Sequence, residues 1–180
     1  FRRMSSSVFE SAETHDEPRR EHRRQLQSCI RDRRRDLPAL SHYGQLKDGP
    51  NTQVVAGYTE ASRGCKHTCL HCPVVPVYKG NFRVIQHDVV MADIRNQVAL
   101  GARHITFGDP DFFNGPGHAM ALVRALAQEF SDLTYDVTIK VEHLLRHANL
   151  LPTLVATGCG FLSLIHNRRR RRHYFSRSRL

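Results

Sequence analysis

An α/β fold on a parallel sheet is what this sequence of 180 residues predicts, and three observations predict it. Strand-like runs alternate with amphipathic helical segments in the order βαβαβαβ. The stretch that carries them, residues 37–167, is electrically neutral, and its first strand leads into a loop rich in cysteine. Strands that alternate with helices imply right-handed crossovers and parallel pairing. Parallel α/β folds place their chemistry at the carboxyl ends of strands. The length allows about one domain, and a hydrophobic content of 40 % is enough for its core.

Residues 1–36, with ten Arg, seven acids and few apolar side chains, are expected to form a disordered basic segment. The ordered part begins at Leu37-Pro38, and residues 53–59 are the first strand. Asp88 is placed to cap a helix in which Val90, Met91, Ile94 and Val98 recur at helical spacing, ending before Gly101. Residues 104–108 make a short second strand. Past Gly115-Pro116-Gly117, the residues Ala119, Leu122, Val123, Leu126 and Phe130 mark the core face of a second helix, with Arg124, Gln128 and Glu129 opposite. In residues 135–141, Tyr135, Val137, Ile139 and Val141 alternate with Asp136, Thr138 and Lys140, the pattern of a strand with one polar face. That face suits a lumen that holds substrate. A helical stretch over 143–157, restarted at Pro152 and stopped by Gly158, leads to a fourth apolar run at 161–165.

The net charge of +10 belongs to the two ends. Residues 1–36 carry +3, residues 37–167 carry 0, and residues 168–180, with seven Arg and no acid, carry +7. A nucleic-acid surface needs Lys and Arg laid along a folded face, so the neutral middle argues against that class. The stretch 168–180 is expected to be a solvated, disordered Arg-rich tail, with non-specific contact to nucleic acid as the lesser expectation. No apolar run approaches the roughly 18 residues of a membrane span. Five cysteines leave one unpaired and no signal-like segment precedes them, which argues against a disulfide framework. Cys29 and Cys159, outside the loop, read as ordinary free thiols.

Cys65, Cys69 and Cys72 stand at C-x3-C-x2-C spacing, which folds three thiolates around one centre. A closed four-iron cluster usually takes four Cys thiolates. Three leave one iron open to a small molecule, the feature that separates catalytic metal sites from closed structural ones. Zinc is the competing occupant, with His67 or His71 completing a Cys3His tetrahedron, although structural zinc sites usually gather ligand pairs from separated knuckles.

The segment Glu60-Ala61-Ser62-Arg63-Gly64-Cys65-Lys66-His67-Thr68-Cys69-Leu70-His71-Cys72 resembles the cluster loop of the radical S-adenosylmethionine (SAM) superfamily. The resemblance covers about residues 53–162. It implies a partial (β/α) barrel of about the first three to four βα units, with residues 37–167 as an incomplete core. It further implies that Cys65, Cys69 and Cys72 hold a 4Fe–4S cluster whose open iron binds SAM. Reductive cleavage of SAM would then give a 5′-deoxyadenosyl radical that abstracts hydrogen from a substrate. His71 stands where the family usually has an aromatic residue near the adenine. At the end of the second strand, Gly108-Asp109-Pro110 is similar to the last three residues of the family's Gly-Gly-Glu-Pro-like segment, with Phe107 in place of the first glycine. These three residues are the implied contacts of the SAM amino group, whose ammonium can donate a charge-assisted hydrogen bond to the acid.

Taken without the resemblance, residues 109–116 are a turn rich in Asp, Asn, Gly and Pro. An EF-hand count from Asp109 puts Phe113 and Met120 where oxygen ligands belong, and fails. Lys140 and Glu142 are either exposed charges at a strand end or contacts to substrate or the SAM carboxylate. A radical SAM enzyme also implies a cellular electron donor and a small-molecule or peptide substrate. An oxygen-sensitive cluster implies the cytoplasm. The abrupt passage into Arg-rich sequence soon after Phe161 suggests an amino-terminal or truncated portion of such an enzyme. The rival is a non-catalytic, zinc-binding or inactive fragment whose basic tail touches nucleic acid.

Overall fold

The computed structural model describes residues 37–47, 53–70, 72–165 and the strand Arg177–Arg179. The expectations for residues 1–36, including Cys29, for His71 and for residues 166–176 lie outside the described residues.

The main sheet has six strands in the order β1 (Gln45–Lys47), β2 (Gln53–Thr59), β5 (His104–Phe107), β6 (Thr134–Lys140), β7 (Cys159–Ile165) and β8 (Arg177–Arg179). The ladders β2–β5, β5–β6 and β6–β7 are parallel. The outer strands β1 and β8 pair antiparallel with β2 and β7. A separate antiparallel ladder joins β3 (Ser62–Gly64) to β4 (Phe82–Val84). The helices are α1 (Val74–Tyr78), α2 (His87–Ala99), α3 (Pro116–Glu129), α4 (Val141–Arg146) and α5 (Leu151–Ala156). This is an α/β architecture in a curled half-barrel, with the parallel alternation that the apolar periodicity predicts.

The core lies between one face of the sheet and the helices. Ile105, Tyr135, Val137 and Ile139 supply the sheet side, and Ile94, Leu122, Val123 and Leu126 the helical side, all essentially without exposure. The period-two pattern of β6 decides its faces: Tyr135, Val137 and Ile139 are buried, while Asp136, Thr138 and Lys140 are half-buried on the other side. Two polar residues interrupt the apolar face of α2 with a purpose. Asp93 Oδ2 accepts from Thr59 Oγ1 and from Gln97 Nε2, each at 2.9 Å. Gln97 Oε1 accepts from the Tyr58 backbone N–H at 2.8 Å. The carboxyl end of β2 is thereby gripped by side chains of α2.

Several details differ from the sequence reading. Asp88 does not cap α2; Gln86 occupies that position without a side-chain bond, and Asp88 sits in the first turn, where its charge still complements the helix dipole. Val141 belongs to α4 rather than to the strand. At this boundary Asp111 Oδ1 accepts from the Lys140 backbone N–H at 3.2 Å, a side-chain partner where the strand gives way to the helix. The helical stretch after it breaks into α4, a 3-10 turn at Ala148–Leu150 and α5, with Pro152 in the first turn of the last. Within the stretch expected to be a disordered tail, Arg177–Arg179 runs as a strand against residues 161–163. Among the described residues no helix is long and apolar enough to cross a membrane.

Candidate functional site

The cysteine loop does not leave β2 directly. After Thr59 the chain makes the short strand β3, then the loop with Cys65, Cys69 and Cys72, then α1, and returns along β4. The loop is thus clasped at its base by the ladder Ser62↔Val84, Arg63↔Arg83, Gly64↔Phe82. Gly64, immediately before Cys65, has φ +80°, and a Cβ there would strike the Asn81 carbonyl oxygen and the Tyr78 ring. Only glycine lets the chain turn into the loop at this point.

The three thiols are free and partly exposed. Cys65 Sγ lies 3.8 Å from Asn114 Oδ1, and Asn114 is buried with its Nδ2 unpartnered. Sequence reasoning missed Asn114, since nothing in a Phe-Phe-Asn turn points to a sulfur 49 positions away.

The second motif comes to the same place. Gly108 donates its backbone N–H to the Thr59 carbonyl at 2.8 Å, and a Cβ on Gly108 would run into the Tyr58 ring. Asp109 is 3 % exposed. Its Oδ2 accepts from the Ala61 N–H at 2.9 Å, and its Oδ1 accepts from Ser62 Oγ. Burial pushes the Asp109 carboxyl up from its ordinary 3.8 to about 6, against the opposing pull of the Ser62 and Ala61 hydrogen bonds. Asp109 therefore ties the base of the cysteine hairpin to the end of β5. Pro110 follows it half-buried in a bend. Glu60 Oε2 pairs with Arg63 Nε at 2.6 Å on the partly exposed side of the same link.

His67, between Cys65 and Cys69, meets the end of β6 and the start of α4. Its Nε2 is 3.1 Å from His143 Nε2, and its Nδ1 is 3.2 Å from Lys140 Nζ. Burial, then Lys140 and His143, hold its pKa below the ordinary histidine value. Lys140 also pairs with Glu142 Oε2 at 2.9 Å, so the charges at the end of β6 meet the cysteine loop rather than solvent alone. Cys159 is apart from all this, and burial pushes its thiol up to about 12, the value of an inert structural cysteine.

This geometry bears on the zinc alternative. A single zinc at about 2.3 Å from each sulfur draws thiolates to about 3.8 Å of one another. Among the described residues the group whose ligand atoms all lie within 4.8 Å is His67, Asp111 and His143, and the three cysteines form no such group. A Cys3His set completed by His67 is not assembled. Thiolates that each hold a different iron of a larger cluster need no such close approach, and the parted, partly exposed thiols fit that group.

No protein-family model matches the chain, and no curated protein matches it in sequence. Among solved structures it is similar to the radical S-adenosylmethionine methyltransferase TsrM from Kitasatospora setae. With cobalamin and a 4Fe-4S cluster bound, that structure gives a TM-score of 0.51 at 19 % identity over 75 % of this chain. With tryptophan substrate and the SAM analogue aza-SAM bound, it gives 0.51 at 18 % identity over 77 %. The likeness is one of fold. The chain spans 26 % and 29 % of the length of those two structures.

Proposed function

We propose that the chain is a radical SAM enzyme, or a portion of one, in which Cys65, Cys69 and Cys72 hold a 4Fe–4S cluster. The observation that carries this reading is one juxtaposition. On a radical SAM-like fold, a C-x3-C-x2-C loop and a Gly108-Asp109-Pro110 segment meet at the carboxyl ends of β2 and β5, joined through Asp109. When bound, such a cluster supplies the electron that cleaves SAM to methionine and a 5′-deoxyadenosyl radical.

The chain's own residues have definable parts. The three thiolates would hold the cluster and leave one iron free for SAM. The Gly108-Asp109-Pro110 segment lies beside the hairpin and is the proposed neighbour of the SAM amino group. His71 is the proposed neighbour of the adenine. The Asn114 amide, buried beside Cys65, can turn its N–H toward the thiolate, and hydrogen bonds to sulfur tune cluster potential. An electron donor and a small-molecule or peptide substrate complete the reaction in a cytoplasmic setting.

The test is electron paramagnetic resonance of the anaerobically reconstituted, reduced chain with and without SAM. About four irons and four sulfides per chain, and a signal that changes with SAM and vanishes in Cys69→Ala, are expected. Tightly held zinc with no cluster signal would overturn the reading.

A further inference from the structure

Beside the cysteine loop lies a second constellation of metal-binding groups that the cluster does not use. His67 Nε2 and His143 Nε2 face each other at 3.1 Å, about the separation of two nitrogens that share a metal at 2.0–2.1 Å. Behind His143, its Nδ1 lies 2.6 Å from Asp111 Oδ2. Both atoms are buried and face each other as a close ion-pair contact whose alignment falls short of a hydrogen bond. Asp111 is 1 % and His143 6 % exposed, so the pair is shielded from water, and a buried polar contact without a well-aligned hydrogen bond costs free energy.

We propose that His67 and His143 bind a first-row divalent metal ion through their Nε2 atoms, with Asp111 as the carboxylate behind His143. A metal on Nε2 fixes the His143 proton on Nδ1, the nitrogen that lies against the Asp111 carboxylate. A carboxylate behind a ligating imidazole is the usual way such a ring is oriented and made more basic. The other Asp111 oxygen already accepts from the backbone of Phe113 and Lys140, both at 3.2 Å, so the carboxylate is held in place. On His67 the same loading puts the proton on Nδ1, which can no longer accept from Lys140 Nζ at 3.2 Å, so the Lys140 ammonium must turn to Glu142 Oε2, already at 2.9 Å. Imidazole donors select zinc, iron, nickel or copper over calcium and magnesium. Two protein nitrogens leave positions open to water or an external ligand. The ion would clamp the middle of the cysteine loop to the junction of β6 and α4. This proposal does not rest on the cluster reading.

The experiment uses the full chain carrying Cys65→Ser, Cys69→Ser and Cys72→Ser, so that neither the cluster nor those thiolates can contribute. Cobalt(II) alone is titrated and followed by its visible spectrum. One equivalent bound with ligand-field bands and no sulfur-to-cobalt charge transfer is expected. His67→Ala and His143→Ala should each weaken it at least tenfold, and Asp111→Asn roughly 10- to 100-fold. No cobalt uptake by this parent chain would overturn the site and leave a hydrogen-bonded chain of side chains. Uptake as tight in His67→Ala as in the parent would overturn it equally. His67 is in a partly exposed loop, so that variant decides the question even where His143→Ala fails to fold.

Discussion

The sheet strands β5 and β6 and the hairpin that carries the cysteines are neighbours in space but are held by different forces. In β5 and β6, Ile105, Tyr135, Val137 and Ile139 are wholly buried against α2 and α3. Among the described residues between 60 and 84, Ala61 is the one buried hydrophobic residue, α1 has no buried residue, and Leu70 and Val77 stand exposed at 105 % and 72 %. The hairpin is fastened instead by polar bonds: Ala61 and Ser62 to Asp109, His67 to His143 and Lys140, and Cys65 to Asn114. Apolar burial scales with area and makes the core insensitive to the loss of any one polar contact. A loop held by a few polar bonds takes its order from each of them and from whatever its ligating side chains bind.

The largest effect should come from the core. Ile139→Ala should lower the unfolding free energy by about 2–5 kcal/mol, read by urea denaturation, whereas Val77→Ala should stay within about 0.5 kcal/mol of the parent. Equal losses would erase the contrast.

Next comes pH. A carboxyl whose folded pKa lies above its unfolded value stabilises the fold only while protonated. The Asp109 contribution is therefore complete below 3.8 and lost as pH rises through about 6. Its size is at most about 3 kcal/mol, from 1.36 kcal/mol per pKa unit. Denaturation curves from pH 4 to pH 7 should show this decline, and Asp109→Asn should flatten it. An unchanged slope in that variant would remove Asp109 from the account.

Ser62→Ala should cost about 1–3 kcal/mol by leaving a buried carboxylate oxygen unpartnered. It should also raise the Asp109 pKa further, since the Ser62 hydrogen bond holds it down; carboxyl NMR titration reads the direction. At the small end, Leu70→Ser should change stability by no more than about 0.5 kcal/mol. A larger loss would mean that Leu70 is covered in the folded chain.

The same contrast separates what was legible in the chain from what was not. The strand at 53–59, the helix around Val90 and Ile94 and the alternation through Tyr135, Val137 and Ile139 could be read because each spans enough residues for its period to repeat. The ladder of Ser62–Gly64 with Phe82–Val84 could not, because three residues hold no more than one repeat of a strand pattern. Asp93 and Gln97 carried a faint signal, two polar residues four apart on a helix face otherwise turned to the core. Asn114 and His143 carried none.

The sequence by itself determined the spacing of Cys65, Cys69 and Cys72, the alternation of strands with helices and the apolar faces of α3 and β6, because local periodicity follows from backbone geometry that any chain shares. Only the tertiary structure decided that Asp109 is turned to Ala61 and Ser62, and that His67 meets His143 across 76 positions of sequence. Those pairings depend on the register of parallel strands and on where two loops leave the sheet. Partners brought together by crossovers leave no periodic trace along the chain.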